Sequence, residues 1–225
     1  MKTESEILDS KDFRKEIGIM KVLLVNGSPK PKGCTYTALT EIAGELERNG
    51  IDTEIFHIGQ EAIGGCRGCG ACAKLGKCIQ NDIVNDALEK FMTADGIIVG
   101  SPVHYAAASG GLTSFLDRVF YICGKKLADK PAASIVSCRR GGATAAFDQL
   151  NKYFTIANMP VVSSQYWSMV HGNTPEEVVK DLEGMQTMRT LGKNMAWLLK
   201  CIDAGDKAGI SRPQREEKIA TNYIR

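Results

Sequence analysis

The 225-residue chain carries 44% hydrophobic and 24% charged side chains, enough for one globular domain with a sizeable core and too apolar for a chain that is disordered throughout. Its 28 Lys and Arg against 26 Asp and Glu give a formal net charge of +2, a field too weak to argue for nucleic acid or an anionic membrane, so a small molecule is the expected partner. No apolar run approaches the roughly 20 residues that span a bilayer, and the polar start MKTESEILDSKDFRKEIGIM has no uninterrupted apolar stretch of an export signal, so a soluble, cytoplasmic protein is expected.

Short β-rich apolar runs alternate with stretches of helical period, the pattern of a parallel sheet covered by helices on both faces. Residues 1–20 read as a polar N-terminal extension. KVLLVN, Lys21–Asn26, is the first strand, and a helix with the apolar stripe Leu39, Ile42, Ala43 and Leu46 follows it as far as Asn49-Gly50. Ile51–Ile58 is the second strand. The third, Gly96–Gly100, leads through a loop to a helix with Leu112, Phe115, Leu116, Val119 and Phe120 on one face. Ala132–Cys138 and Val161–Trp167 are the fourth and fifth strands. Thr174-Pro175-Glu176-Glu177 then supplies a Thr cap, Pro at the first helical position and Glu three residues after the cap. From there Val178, Leu182, Met185, Met188, Leu191, Met195 and Leu198 recur at helical spacing for about six turns. Residues 21–200 thus form one domain with a cysteine-bearing insertion at 62–80, and 201–225 a mixed-charge tail that is loosely ordered or wraps a neighbouring subunit. The expected architecture is a doubly wound, three-layer α/β/α fold with five parallel strands in the order 2-1-3-4-5.

The loop after the first strand, Asn26-Gly27-Ser28-Pro29-Lys30-Pro31-Lys32-Gly33-Cys34-Thr35-Tyr36-Thr37, runs straight into a helix. Hydroxyls of Ser28, Thr35 and Thr37, the free amides of the helix start and the ammonium of Lys30 or Lys32 favour an anion there. The spacing matches neither the dinucleotide fingerprint nor an ATPase loop, and one terminal monophosphate fits better; a Gly/Pro turn that merely starts the helix is the simpler alternative.

Cys66, Cys69, Cys72 and Cys78 form a C-x2-C-x2-C-x5-C run with Gly68, Gly70 and Gly76 between them. Three thiols at three-residue spacing can wrap one corner of a cubane cluster while the fourth closes the cage. Zinc, which favours two separated pairs, and unmetallated thiols remain open. Cys123 and Cys201 fall in helical patterns as small buried hydrophobes, Cys138 ends the fourth strand, and Cys34, at a helix start beside lysines, is expected to have a lowered thiol pKa.

The third strand ends in Gly100-Ser101-Pro102-Val103-His104-Tyr105, where Pro102 is expected to fix a turn and Tyr105 to offer a flat face beside small residues that leave room for a ring. The fourth ends in Ser137-Cys138-Arg139-Arg140-Gly141-Gly142, whose arginines face either a ligand's carbonyls or solvent. Three such loops at the carboxyl ends of parallel strands place a ligand at the switch point between strands one and three, and a phosphate seat beside a planar slot describes flavin mononucleotide (FMN).

With these residues in view, the chain resembles the NADPH-dependent FMN reductase group of the flavodoxin-like superfamily, and within it the iron–sulfur flavoproteins. The resemblance spans Lys21 to Lys200 and rests on VNGSPKPKGCT, the Cys66–Cys78 run followed by Asp82, GSPVHY, and LTSFLDR ending at Asp117-Arg118. It implies a flavodoxin-like fold that binds FMN, a 4Fe–4S cluster on Cys66, Cys69, Cys72 and Cys78, and a homodimer or homotetramer in which FMN and cluster of neighbouring subunits approach each other. Carried onto this chain, Ser28, Lys30, Cys34, Thr35 and Tyr36 surround the phosphate, while Pro102, Val103, His104 and Tyr105 line the ring; the loops themselves add Gly33 to the phosphate seat and Arg139 and Gly141 as candidates beside the cofactor. Cys34 stands where relatives often carry Asn, and His104 interrupts the commoner SPVYF-like sequence.

The function implied is an FMN-dependent oxidoreductase moving electrons between NAD(P)H, the flavin and a one-electron centre, a ferredoxin-like partner or a small acceptor, with His104 a candidate proton donor. The alternatives are an NAD(P)H-dependent FMN or quinone reductase with empty cysteines, and a non-enzymatic flavodoxin-like carrier or zinc-stabilised binding module. The weak net charge speaks against a dedicated carrier, which usually presents an acidic surface.

Overall fold

The computed structural model describes residues 19–217 and 219–221, so most of the N-terminal extension and the last residues of the tail lie outside the described residues. In chain order the elements are β1 (Lys21–Asn26), α1 (Cys34–Arg48), β2 (Asp52–His57), α2 (Cys72–Leu75), α3 (Ile83–Thr93), β3 (Gly96–His104), β4 (Ala107–Ala108), α4 (Gly110–Cys123), a 3-10 turn (Gly124–Leu127), β5 (Ala132–Cys138), α5 (Ala143–Ile156), β6 (Met169–His171), α6 (Pro175–Lys180) and α7 (Leu182–Lys207). The parallel strands are ordered β2-β1-β3-β5-β6, and β4 folds back antiparallel on β3. Apart from that hairpin, this is the expected 2-1-3-4-5 arrangement.

The strand period of two divides the core. In β1, Leu23 and Val25 face a layer built with Phe91 of α3, Leu112 and Phe115 of α4, and Leu150 and Phe154 of α5. Val22 and Leu24 face the other layer, with Leu39 and Ile42 of α1, Val178 of α6, and Met188 and Met195 of α7. The strands are therefore apolar on both faces, as a buried parallel sheet requires.

Four expectations change. The fifth strand is not Val161–Trp167: Val161 makes a single bridge to Ala132, and the ladder resumes only at Met169–His171, opposite Val136–Cys138. The intervening residues peel away because α7 takes up their polar groups. Ser164 Oγ donates to the Thr187 carbonyl at 2.7 Å, Asn194 Nδ2 to the Ser163 carbonyl at 2.8 Å, and Gln165 pairs with Gln186 and Thr190.

Second, β3 does not stop at Gly100, and Pro102 does not make the turn. Pro102 sits inside the strand opposite Ser137, and the reversal falls at Tyr105-Ala106, both left-handed with φ of 49° and 60°. Two consecutive residues of positive φ form the two-residue hairpin turn usually given to Asn-Gly, so the sequence carries no signal for it.

Third, the long last helix is two. Asp181 interrupts it with ψ 80°, accepting from Gly184 N at 2.9 Å as the cap of α7 and from His171 N at 2.7 Å. Gly184 leaves room for that carboxylate, since a Cβ there would lie 2.4 Å from Asp181 Oδ2. Fourth, α7 continues to Lys207, past the expected end of the domain at residue 200, and Cys201 is exposed rather than buried.

Candidate functional site: a rim cleft and a cysteine loop

The loops after β1 and β3 are neighbours by construction, because Asn26 pairs with Gly100 in the sheet. Gly27 N donates to the Gly100 carbonyl at 2.8 Å. Ser109 Oγ donates to the Gly27 carbonyl at 2.7 Å, Ser109 N to Ser101 Oγ at 2.9 Å, and Ser101 Oγ to the Pro102 carbonyl at 2.8 Å. A continuous chain of buried and part-buried hydrogen bonds thus ties the expected phosphate loop to the hairpin bearing Pro102, Val103, His104 and Tyr105. The approach is so close that a Cβ on Gly27 would lie 2.9 Å from the Gly100 carbonyl oxygen, and one on Gly100 would meet Thr35 at 2.8 Å.

Within the first loop, the buried Asn26 side chain accepts from Ser28 N at 3.1 Å and donates to the Pro31 carbonyl at 3.1 Å, while Ser28 Oγ accepts from Lys30 N at 3.1 Å. His57, at the end of β2, donates Nε2–H to the Ser28 carbonyl at 2.7 Å. These bonds hold the loop open around the start of α1, where the N-cap residue Gly33 offers no side-chain cap and the first turn carries no acid. The same holds for α4, whose Ser109 is spent on Gly27, and for α5, which starts at Gly142. By contrast, Asp82, Thr174 and Asp181 cap α3, α6 and α7. The three helices that follow β1, β3 and β5 therefore begin with free amides at the carboxyl end of the sheet, the chemistry of an anion seat.

Not every expected ligand group is free. Thr37 Oγ1 donates back to the Gly33 carbonyl at 3.2 Å and is removed from the candidate phosphate donors. Thr35 Oγ1 is buried and shares a 2.8 Å hydrogen bond with Ser137 Oγ at the end of β5, so its contribution to the seat is its backbone amide. The Cys34 thiol lies 3.8 Å from the Gly172 carbonyl, and burial pushes its pKa up, outweighing the helix-start amide and Lys30; the expectation of a lowered value is corrected. Lys30, His104, Arg139 and Gly141 are exposed along the rim, and Tyr105 is fully exposed. Next to Gly141, Gly142 has φ 85° and lies so close to Ala106 that a Cβ would come within 2.8 Å of Ala106 Cα, which seats the β5 loop under the hairpin.

The cysteine loop lies on the α3/α4 side, and Arg118 organises it from α4. The guanidinium is 1% exposed. Its two Nη groups form a fork on Asp82 at 2.6 and 2.8 Å and also donate to the Gly64 carbonyl at 3.2 Å and the Gln80 carbonyl at 3.0 Å. Nε donates to Cys78 Sγ at 3.3 Å, so all five guanidinium hydrogens are used. Asn85 brackets the Cys78 backbone, accepting from its N–H at 2.8 Å and donating to its carbonyl at 3.0 Å. Gly68, Gly70 and Gly76 take φ of 64°, 68° and 63°, which lets the chain double back between thiols.

Cys66 and Cys69 are exposed, and Cys72 and Cys78 half-buried. Among the described residues no three His, Cys, Asp or Glu converge where one metal ion would sit. Four thiols on one compact glycine-rich loop are the donor chemistry of an iron–sulfur cluster, and the residues present are compatible with that group.

Ser101, Ser109, His57 and the Arg118–Asp82 fork are absent from the sequence-based site. The motif LTSFLDR contains Arg118, but nothing in its spacing says that the arginine reaches the cysteines. Among the described residues no helix is long and apolar enough to cross a membrane.

The sequence profile of the NADPH-dependent FMN reductase family matches residues 20–174. An iron–sulfur flavoprotein of Methanocaldococcus jannaschii is 34% identical over 191 residues, covering 81% of this chain and 99% of that one. One of Archaeoglobus fulgidus is 32% identical over 174 residues, covering 76% and 86%. In fold, a WrbA-like flavodoxin of Agrobacterium tumefaciens superposes with a TM-score of 0.57 at 16% identity, over 81% of this chain and 98% of that chain. With its strand order and rim loops, the chain belongs to the NADPH-dependent FMN reductase and iron–sulfur flavoprotein family, and it is a flavin-dependent oxidoreductase of flavodoxin-like fold.

Proposed function

We propose that this chain seats the FMN phosphate on the Gly27–Tyr36 loop and the isoalloxazine beside Pro102–Tyr105, and that Cys66, Cys69, Cys72 and Cys78 hold a 4Fe–4S cluster. The observation that supports the first half is the hydrogen-bonded join of the two loops through Gly27, Ser109 and Ser101, which makes them neighbours on the same rim of the sheet. Support for the second half comes from the compact thiol run and from relatives named iron–sulfur flavoproteins. When bound, FMN exchanges the two electrons of a hydride with NAD(P)H and the cluster exchanges electrons singly, so together they link the two kinds of donor and acceptor.

The chain's own residues have plainer tasks. The amides of Cys34, Thr35 and Tyr36 and the Lys30 ammonium bind the phosphate; Asn26 and His57 hold Ser28 in place. The hairpin orients the ring, and its strained Tyr105-Ala106 turn costs about 1–2 kcal/mol per residue, with Gly142 the residue whose lack of a Cβ lets the β5 loop pass beneath it. His104, exposed at this edge, is the candidate to hold a proton for the ring, and Arg139 to face its carbonyl side. The acceptor is a ferredoxin-like protein or a small molecule, and the assembly a homodimer or homotetramer in the cytoplasm.

Anaerobically purified protein should take up one FMN and about four irons with matching sulfide per chain. Colourless protein that refuses added FMN overturns the first half. Bound FMN with quinone turnover but no iron after reconstitution overturns the second half and leaves the cysteines as empty thiols. His104→Gln should flatten the pH profile of flavin reduction by NADPH; an unchanged profile removes that role.

A further inference from the structure

We propose that Arg118 is the positioning residue of the cysteine loop, fastening both of its feet and presenting Cys78 as the ligand already in place before iron arrives. The inference rests on the cluster reading above and deepens it.

Three observations carry it. The acceptors of Arg118 lie on both sides of the thiol run: the Gly64 carbonyl precedes Cys66, and the Gln80 carbonyl follows Cys78. One buried side chain therefore closes residues 65–79 into a ring, and Gln80 Nε2, donating to the Gly65 carbonyl at 3.1 Å, adds a second tie at the same neck. Next, the fastening stops at the neck. A Cβ on Gly65, Gly68, Gly70 or Gly76 would meet nothing within 4 Å, and Cys66 and Cys69 are exposed, so that part of the arch is loosely packed. Finally, the four cysteines are unequal. Asn85 holds the Cys78 backbone on both its N–H and its carbonyl, and Arg118 Nε–H is directed at its sulfur.

A buried charge is expensive to maintain, and the fork on Asp82 uses only two of the five guanidinium N–H groups, so the other three need partners as well. Spending the remaining hydrogens on the neck and on a thiol gives the guanidinium a use beyond the ion pair. The arch then closes from a fixed Cys78, and the N–H···S contact favours the more negative, reduced cluster, since hydrogen bonds to the sulfurs help set such potentials.

The test compares the full chain with Arg118→Lys, which keeps the charge and loses the planar fork, and with Asp82→Asn, which keeps Arg118 and weakens its anchor. In iron-free protein, amides 64–66 and 78–80 should exchange hydrogen faster in both variants, more so in Arg118→Lys, while those of β1 are unchanged. In reconstituted protein the cluster's midpoint potential, followed by electron paramagnetic resonance, should move to more negative values in the same order. If Arg118→Lys lacks a cooperative melt, Asp82→Asn carries both measurements. Unchanged exchange at the neck overturns the strut, and a loaded cluster of unchanged potential overturns the assignment of Cys78 as the ligand that Arg118 hydrogen-bonds. Should the wild-type chain bind neither iron nor sulfide, the cluster reading fails on its own, and the exchange comparison still decides what Arg118 does for the loop.

Discussion

The phosphate loop and the cysteine loop are both rich in glycine, but they use it for opposite reasons. At Gly27 and Gly100 the backbone conformation is ordinary and space is missing: neighbouring backbone, Leu112 and Thr35 occupy the volume a Cβ would take. At Gly68, Gly70 and Gly76 space is open and only the positive φ calls for glycine. The first loop is therefore a close-packed part of the sheet's rim, formed with the core. The second is an arch whose shape is set at its neck. Glycine in a ligand loop thus marks either a tight join or a freedom to turn, and the two fail differently.

The largest expected effect is at the neck. Arg118→Leu leaves Asp82 without its fork and abandons the Gly64 and Gln80 carbonyls, which should lower unfolding stability by about 3 kcal/mol, the low end for breaking a buried pair because the Asp82 side chain keeps 30% exposure. Urea unfolding of the iron-free protein measures it; a loss below about 1 kcal/mol would mean that the arginine is a surface ion pair in all but position.

A matched pair of glycine substitutions sharpens the contrast. Gly27→Ala should destabilise the whole domain by about 1–3 kcal/mol and weaken FMN binding, because the clash falls on the buried Leu112 side chain of α4 and the Gly100 backbone of β3. Gly70→Ala should cost a similar ~1–2 kcal/mol of backbone strain but spend it locally, leaving the melting temperature nearly unchanged while iron retention falls. Equal shifts in melting temperature would erase the distinction.

The smallest effect lies outside both regions and serves as a control. Glu54 on β2 accepts hydrogen bonds from Lys21 and Lys90. Burial pushes its pKa up, but the two ammonium groups outweigh burial and hold it below the usual carboxylate range. A depressed value in the fold contributes stability above the unfolded pKa of about 4.3, lost as pH falls through the folded value. Glu54→Gln should therefore cost about 1 kcal/mol at neutral pH and make the acid loss of stability shallower, with neither FMN nor iron affected.

The parallel sheet, its strand order and the rim loops are legible in the sequence because each rests on a local signal: apolar runs such as KVLLVN, a helix stripe such as Leu112 to Phe120, and a Ser/Thr/Gly/Lys loop between them. What escapes depends on distant partners. Val161–Trp167 has the composition of a strand, yet α7, some 20 residues downstream, draws its polar groups off the sheet. Thr37 has the right chemistry for phosphate but spends its hydroxyl on Gly33. Arg118 and Cys78 are separated by 40 positions, and only the packing of α4 against the neck brings them together.

The detour of residues 163–168 has one more consequence. Between Ala132 and Val136 the outer margin of β5 is screened by a segment tethered to α7, with the Tyr166 and Trp167 rings tilted against each other at 5.0 Å and half exposed at its crest. A second chain arriving at this margin finds no ready ladder to extend and meets aromatic faces instead. Self-assembly here must proceed by side-chain recognition, and sheet polymerisation, the hazard of any open β-edge, is closed off where β5 would otherwise template it.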